Sequence, residues 1–498
     1  MPSEPLALTD RLRTAVADPL DRDDAIDLPS ELDAVLADVG LKAADAGGTI
    51  DFIGADPVVP GVVACGSAAA LSLVAKSVAI AALWQARGNP GQDIAMDVRV
   101  APHRLCPFYE RKWELLNGLV PATDWDVTAL HYTNFWRTRD GRWVLPQGHY
   151  PRQRIETLKL LQTYDDPEAI AAAIAGWTAA DLEEAGAAAG IVMPMVRSTA
   201  EFLETAQYRE VLATLPLIEL EKIGDSDPEP FGAGDAPLAG IRALGLSHVI
   251  AGGGIGRTLA LHGADALNVW APFGYEAPTA FHTAQYGVRT TRMHYDGRRG
   301  GEAFRELART GDVFYTNRRP RLQERLGVTA RQLAELRPGI VHASVTLHGE
   351  TGPWAGRAGF DQTAGSIVGM MLLEGSPEAP KLPFVTVVND WIVPWLVSAG
   401  IAAALIRRAT EGGSYRVHVS LTRVAAWILS LGIFDKAYAA EVAGHGEHIY
   451  PDPELFTSDG PLGRYQGVTE QVRMSATPGE YRFGLLPMGA ARPEWLPR

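Results

Sequence analysis

The chain has 498 residues, more than one hydrophobic core usually serves, so two domains are expected. Its composition, 47% apolar and 21% charged, is that of a globular protein and excludes a disordered or fibrous chain. A formal net charge of -14 argues against nucleic acid or an anionic membrane as main partner, and with only Cys65 and Cys106 no disulfide framework or multi-cysteine metal site can be built.

The N-terminus, MPSEPLALTDRLRTAV, carries early acids and no apolar run, so no signal peptide is expected and the cytoplasm is the expected location. Val62 to Trp84 is long enough to cross a membrane. Its Ala, Ser, Gly and Lys76 content instead reads as a buried core helix, and no membrane partner is expected. Residues 131–148 alternate apolar and polar side chains about Asp140-Gly141, a hairpin signal. Residues 151–190 read as three helices, the last closing on Gly190. This half looks α+β. Residues 225–237, DSDPEPFGAGDAP, are a linker or long loop.

Beyond the linker the pattern changes. Strand-like runs at 241–251, 266–270, 312–316 and 340–345 alternate with helical segments such as 302–309 and 330–336. That alternation predicts an α/β fold with a parallel sheet of Rossmann type. An internal repeat is also present: LVSAGIAAALIRRATEGGSYRVHVSL from Leu396 resembles LVAKSVAIAALWQARGNPGQDIAMDV from Leu73. Setting Val417 on Ile94 also sets Asp390 on Ser67.

Several side chains suggest chemistry. Gly252, Gly253, Gly254 and Gly256 are expected between a strand and a helix, where such a turn either approaches a phosphate or lets the two elements pack closely. The spacing is not G-x-G-x-x-G, and the second strand ends in Asn268, Val269 and Trp270, without the acid a dinucleotide ribose requires. Arg318, Arg319, Arg321 and Arg325 follow the strand ending near Thr316, at the edge where parallel sheets meet ligands; they suit phosphate, or a solvated face with Glu324 and Glu335. Asp390 sits in VTVVNDWIVPW, just before a small-residue helix, either as its N-cap or as a functional carboxylate. His445, Glu447 and His448 lack helical metal spacing and read as a surface loop.

The residues carry a family resemblance. PLAGIRALGLSHVIAGGGIGRTLALHGADALNV resembles the opening strand–turn–helix–strand of class III CoA-transferases, the formyl-CoA and crotonobetainyl-CoA type. TNRRPRLQERLGVTARQLAELRPGIVHASVTLHGETGPWAGRAGFDQTAGSIVGM is similar to that family's succession of an Asn-x-Arg-Pro turn, an E-R-L-G segment, a T-G-P turn and a G-[YF]-D step. Residues 101–225, with GIVMPMVRSTAEFLETAQYR, resemble the family's small α+β domain, displaced ahead of the Rossmann-like part, and VRMSATPGEYRF resembles the family's tail. The chain therefore divides into an N-terminal segment with a partial repeat (1–100), the small domain (101–225), a Rossmann-like catalytic domain (235–435) and a tail (436–498).

The resemblance implies Asp390 as nucleophile in a transfer of CoA between an acyl-CoA and a carboxylic acid. Coenzyme A is then a substrate rather than a permanently bound cofactor, and no metal is implied. Ala251 falls where the family's first turn meets CoA, Arg289 at a K-R-S step near the adenine, and Asn317, Arg319 and Arg325 at the Asn-x-Arg-Pro turn and the Arg after it. Trp270 replaces a family acid, Arg321 a Gly, and Gly365 the Gln of formyl-CoA transferase. Phe360 stands where related racemases carry His, which disfavours an α-methylacyl-CoA racemase. Ser67 makes the partial copy silent, and together with the altered order allows a CoA-binding pseudo-enzyme. Family members interlock as homodimers. Here residues 51–225 either fold back on their own catalytic half or clasp a second chain, and a homodimer is the expectation.

Overall fold

The computed structural model describes residues 7–121 and 134–497. Ahead of the linker lie β1 (Gly47–Ile53), β2 (Gln92–Asp97), β3 (Leu115–Leu116), β4 (Trp136–Arg137), β5 (Trp143–Val144) and β6 (Glu219–Gly224). After it come β7 (Arg242–Leu246), β8 (Asp265–Trp270), β9 (Arg289–Arg292), β10 (Val313–Thr316), β11 (Val341–Thr346) and β12 (Ser414–Ser420). The tail adds β13 (Leu455–Gly460), β14 (Gly463–Val468) and β15 (Val472–Met474).

Strands β9-β8-β7-β10-β11-β12 lie parallel in that order, as short apolar runs joined by helices require, and β6 pairs antiparallel with β12 to complete a seven-stranded sheet. The fold is α/β, as expected. Strand order reverses between β7 and β10, so the loops leaving those strands open a crevice at the sheet's carboxyl edge, where doubly wound sheets take ligands. Strand β9 was not expected: Arg289-Thr290-Thr291-Arg292 offers no apolar run, and only its pairing with β8 makes it a strand.

The glycine run is a correction. Gly252, Gly253, Gly254 and Gly256 lie inside the helix Val249–Leu261, not in the turn before it. A Cβ at Gly252 would strike the Asn317 side chain, and one at Gly254 would come within 2.9 Å of Pro394. These glycines exist for close packing of the helix against β10 and the Asn389–Glu411 helix.

The repeat is real in three dimensions. The helix Cys65–Ala86 packs along the helix Asn389–Glu411, and their apolar faces share one continuous core that includes Val74, Val78, Trp395 and Leu396. Both helices are long and apolar enough to cross a membrane, yet each is mostly buried inside the protein. Their following strands occupy matching places. β12 has β11 parallel on one side and β6 antiparallel on the other, while β2 has β1 parallel and β15 antiparallel. Val417 faces Leu220 of β6, and Ile94 faces Met474 of β15. Each half thus lends its last strand to the other half's sheet. The described residues of 51–225 fold back on their own catalytic half, the first of the two arrangements open to the sequence.

The small domain has the expected hairpin, β4 and β5, turning at Asp140 and Gly141; residues 131–133 of the anticipated segment lie outside the described residues. The helices Pro151–Leu161, Pro167–Ile174 and Ala179–Ala189 follow, and Gly190 closes the last with φ 73°. Val144, Ile170, Ile174 and Leu182 form their core. The linker has no regular structure. Arg87 pins it, donating to the carbonyls of Gly232 (2.7 Å), Pro237 (2.6 Å) and Ala239 (2.6 Å). The tail is woven in rather than appended. β14 pairs with β3, and the Leu496 N–H reaches Asp265 at the start of β8 (2.8 Å).

Candidate active site

The two roles open to Asp390 are separated by its surroundings. It is the second residue of the Asn389–Glu411 helix, whose N-cap, Val388, supplies no side-chain cap. The free N–H groups of the first turn are instead gathered by Asp361, whose Oδ2 accepts from Asn389 N and, at 2.9 Å, from Asp390 N. Asp361 is the acid of the G-F-D step and opens the helix Asp361–Val368. The Asp390 carboxylate is therefore left over. It is 7% exposed and has no hydrogen-bond partner among the described residues. Burial, and then the Asp361 charge, push its pKa well above the usual carboxylate range. Burial also lifts Asp361, to about 6, against the backbone N–H groups that favour its charged form. The pair holds one negative charge readily, and Asp361, with its backbone donors, is the better place for it.

The small domain covers this pair from within the same chain. Gln147 donates to Gln362 Oε1 (3.1 Å) and accepts from Thr363 Oγ1 (2.6 Å), which ties it to the turn carrying Asp361. The His149 ring meets Phe360 edge-on at 5.1 Å, and the Tyr150 ring stacks over Phe360 at 6.0 Å. Cys106 is near enough that, besides burial, Asp361, Glu114 and Asp390 push its thiol up.

The crevice at the strand-order reversal lies on the other side of Tyr150. Asn317, leaving β10, accepts from His248 N (3.1 Å) and donates to the His248 carbonyl (2.9 Å), clamping the loop that leaves β7. Val249 follows at φ 55°, a left-handed conformation costly for a β-branched residue, by about 1–3 kcal/mol. Its N–H donates to Glu276 Oε2 (2.6 Å), while Glu276 Oε1 accepts from Tyr150 Oη (2.5 Å). One carboxylate thus holds the strained turn and the small-domain tyrosine together. Burial raises the pKa of Glu276, and burial with the nearby Arg318 charge lowers His248 to about 3, so its imidazole is neutral.

The residues expected from sequence divide. Ala251 lies in the first turn of the Val249–Leu261 helix, at the crevice, buried at 5% exposure. Asn317 is in the crevice as a clamp. Arg319 is exposed and donates to the Gly190 carbonyl (3.3 Å), and Arg325 is exposed in the last turn of the helix Pro320–Leu326. Arg289 lies away from the crevice. It starts β9, the outermost strand on that side of the sheet, where it is paired with Asp265 (2.9 Å) and the Glu494 carbonyl (2.8 Å). The fold commits its guanidinium to the tail. Trp270 is buried at 1% exposure, and the room for a side chain at Gly365 is taken by Met370 and Met371. Sequence reasoning marked Asp361 only as the acid of the G-F-D step, without a role, and missed Tyr150, which carries a signal only once the chain is folded.

The partial copy has the same helix-end device. Asp56, in the sequence Gly-Ala-Asp, accepts from Ser67 N at 2.7 Å, and burial raises it to about 6. Ser67 is thus held as Asp390 is, and its side chain is 2% exposed.

Residues 238–458 match the family model described as CoA-transferase family III. The beta subunit of succinyl-CoA–L-malate CoA-transferase from Chloroflexus aurantiacus is 28% identical over 45% of this chain and 60% of its own length. The formyl-CoA:oxalate CoA-transferase of Streptomyces coelicolor is 31% identical over 37% of this chain and 47% of its own. A CAIB/BAIF family protein of known structure from Brucella suis is 27% identical, over 39% of this chain and 56% of that one, with a TM-score of 0.36. The chain thus spans between 41% and 60% of the length of these curated relatives and of an acetyl-coenzyme A transferase from Hypoxylon pulicicidum.

Proposed function

We propose that the CoA-transferase family III segment of this chain, residues 238–458, works with the small domain of residues 101–225 as one acyl-CoA active site, moving CoA from an acyl-CoA to a carboxylic acid. The observation that carries this reading is the Asp390 carboxylate, buried at a helix N-terminus with its capping role taken by Asp361. A poorly solvated carboxylate, once ionised, is the nucleophile such chemistry needs.

The steps balance without a cofactor. Asp390 attacks the thioester carbonyl, giving a mixed anhydride and CoA thiolate. The thiolate attacks the aspartyl carbonyl, forming an aspartyl-CoA thioester and releasing the donor's acid. The acceptor carboxylate then attacks this thioester, and the freed thiolate takes the acceptor acyl group, restoring Asp390. Gln147, His149 and Tyr150 exclude water from the intermediates. The names of the relatives pair short acyl donors, succinyl or formyl, with dicarboxylic acceptors, malate or oxalate, which are therefore the first substrates to try.

The site closes within one chain. A homodimer of such chains would then add to complete sites rather than create them, and light scattering read alongside activity separates the two. The reading places the enzyme in the cytoplasm, where acyl-CoA is made and used. A matrix of acyl-CoA donors against carboxylic acids, followed by mass for new thioesters, tests the reaction. No new thioester from any pair, with CoA still bound, would favour a pseudo-enzyme.

One contact favours a second reading. His149 brings an imidazole against Phe360, where the resemblance to racemases otherwise lacks a base. Deuterium entering the α-carbon of a branched acyl-CoA would support it.

A further inference from the structure

Glu276 lies on the loop leaving β8, and its buried carboxylate takes donors from separate stretches of the chain. Oε2 accepts from Val249 N (2.6 Å), in the turn that leaves β7. Oε1 accepts from Ala277 N (3.1 Å) and from Tyr150 Oη (2.5 Å). Tyr150 stands immediately before the small-domain helix Pro151–Leu161. With both oxygens engaged, the carboxylate has one orientation. The left-handed Val249 gives its N–H to this carboxylate, and a strained turn persists only where its surroundings over-determine it.

From Tyr150 the contacts continue to the nucleophile. The tyrosine ring lies nearly parallel to Phe360 (6.0 Å between centroids, 9° between planes). Phe360 is the N-cap of the helix Asp361–Val368, and the next residue, Asp361, accepts from Asp390 N (2.9 Å). Gln147, three residues before Tyr150, holds Thr363 of the same helix (2.6 Å). Residues 147–150 thus grip the Asp361 turn at two points, and Glu276 fixes one end of that grip. The small domain also meets the catalytic half through solvent-facing contacts, Glu184 with Arg357 (2.6 Å) and the Gly190 carbonyl with Arg319 (3.3 Å). Contacts of that kind contribute little, so the buried bridge sets the geometry. Val249, Glu276, Tyr150, Phe360, Asp361 and Asp390 form one series in which each link is a hydrogen bond, a ring contact or a peptide bond.

We propose that Glu276 is a positioning residue: by fixing Tyr150 against Phe360 it holds the small-domain cover and the Asp361 clamp in place at Asp390, and ties both to the crevice turn at Val249. The assignment rests on the acyl-CoA reading of the site, but its first test uses the resting protein and needs no turnover. Amide hydrogen exchange is followed by mass in the peptide holding Asn389 and Asp390. The peptide holding Ser67, whose N–H is held by Asp56 at 2.7 Å, is the internal control. Glu276→Ala should speed exchange at Asn389 and Asp390 by roughly tenfold, and the milder Tyr150→Phe by roughly threefold, with Ser67 within about twofold of wild type. Both variants break one bridge, so the double variant should exchange no faster than Glu276→Ala alone. Glu276→Gln keeps an acceptor for Val249 N and a polar partner for Tyr150 Oη, and should restore most of the protection. Unchanged exchange at Asn389 and Asp390 in both single variants would overturn the proposal. So would equal acceleration at Ser67, which would make Glu276 a stabiliser of the whole fold. In turnover, Glu276→Ala should raise acyl-CoA hydrolysis relative to CoA transfer by roughly tenfold, because the displaced cover admits water, and an unaltered ratio would overturn the covering role. A wild-type protein that shows the exchange pattern but transfers no CoA would sink the transferase reading and leave this assignment standing.

Discussion

At the start of the Asn389–Glu411 helix Asp361 gathers the backbone N–H groups and leaves an aspartate carboxylate free; at the start of the Cys65–Ala86 helix Asp56 gathers them too, but there it also engages the side chain of the serine in the matching place. Both clamping carboxyls are buried, and both are raised to about 6. The clamp is therefore a requirement of the frame, since two long apolar helices that pack together cannot bury open N-termini. Chemistry enters through what differs. Asp361 lies 29 residues before Asp390, and the intervening chain forms a helix whose Gln362 and Thr363 dock Gln147 of the small domain. Asp56 is only 11 residues before Ser67, so there is no equivalent helix to dock a cover. The same support carries a site in one copy and only structure in the other.

The comparison is broken most severely at its nucleophiles. Asp390→Asn should reduce CoA transfer by at least about 10³-fold, while Ser67→Ala leaves it near wild type. Asp390→Asn should also raise the melting temperature, because it removes a buried carboxylate that has no partner. Ser67→Asp should create no second site and should cost about 3 kcal/mol of stability by placing an unpaired carboxylate beside Asp56. Calorimetry with turnover assays checks all three.

Removing the clamps sharpens the comparison. Asp361→Ala and Asp56→Ala each strand buried N–H groups, at about 1–3 kcal/mol of stability. Only Asp361→Ala should also depress kcat, because only there does the clamp position a nucleophile.

How much of this was legible beforehand follows from the range of each signal. The alternation of apolar runs with helices exposed the parallel sheet, and the shared helix–turn–strand pattern exposed the duplication and the match of Asp390 with Ser67. Asp390 itself was legible as an acid in an apolar setting, but whether it capped its helix depended on Asp361, from a distant part of the chain. β9 was illegible because RTTR has no apolar period. Arg289 was read from the resemblance as a ligand arginine, and sequence does not reveal that the tail returns to bind it. The glycine run resembled a turn because small residues serve close packing and tight turns alike. Arg318 was visible as one of four arginines, and only folding shows that it alone of the four is half-buried rather than exposed.

The pH dependence separates the two copies more gently. Burial holds Asp361 and Asp56 at about 6, so the folded chain keeps protons that the unfolded chain has already released. Stability from these groups is full below about pH 4 and declines as pH rises through about 6. Asp56→Asn should flatten that decline without altering the pH profile of activity. Asp361→Asn removes the negative charge that helps hold Asp390 protonated, so the rising acid limb of kcat/KM should move to lower pH. An effect on stability alone is expected at Gly254, where a Cβ would meet Pro394 at 2.9 Å and Trp391 at 3.0 Å. Gly254→Ala should cost about 1–3 kcal/mol through strain where the Val249–Leu261 helix meets the Asn389–Glu411 helix.

The central claim is that Asp390 becomes covalently bonded during turnover, and hydroxylamine trapping tests it most directly. The protein is mixed with an acyl-CoA that it turns over, quenched into hydroxylamine and digested, and the peptides bearing Asp390 and Ser67 are weighed. The account predicts an aspartyl hydroxamate at Asp390, dependent on acyl-CoA, and an unmodified Ser67 peptide. An unmodified Asp390 peptide, under conditions where CoA transfer is proceeding, would contradict it.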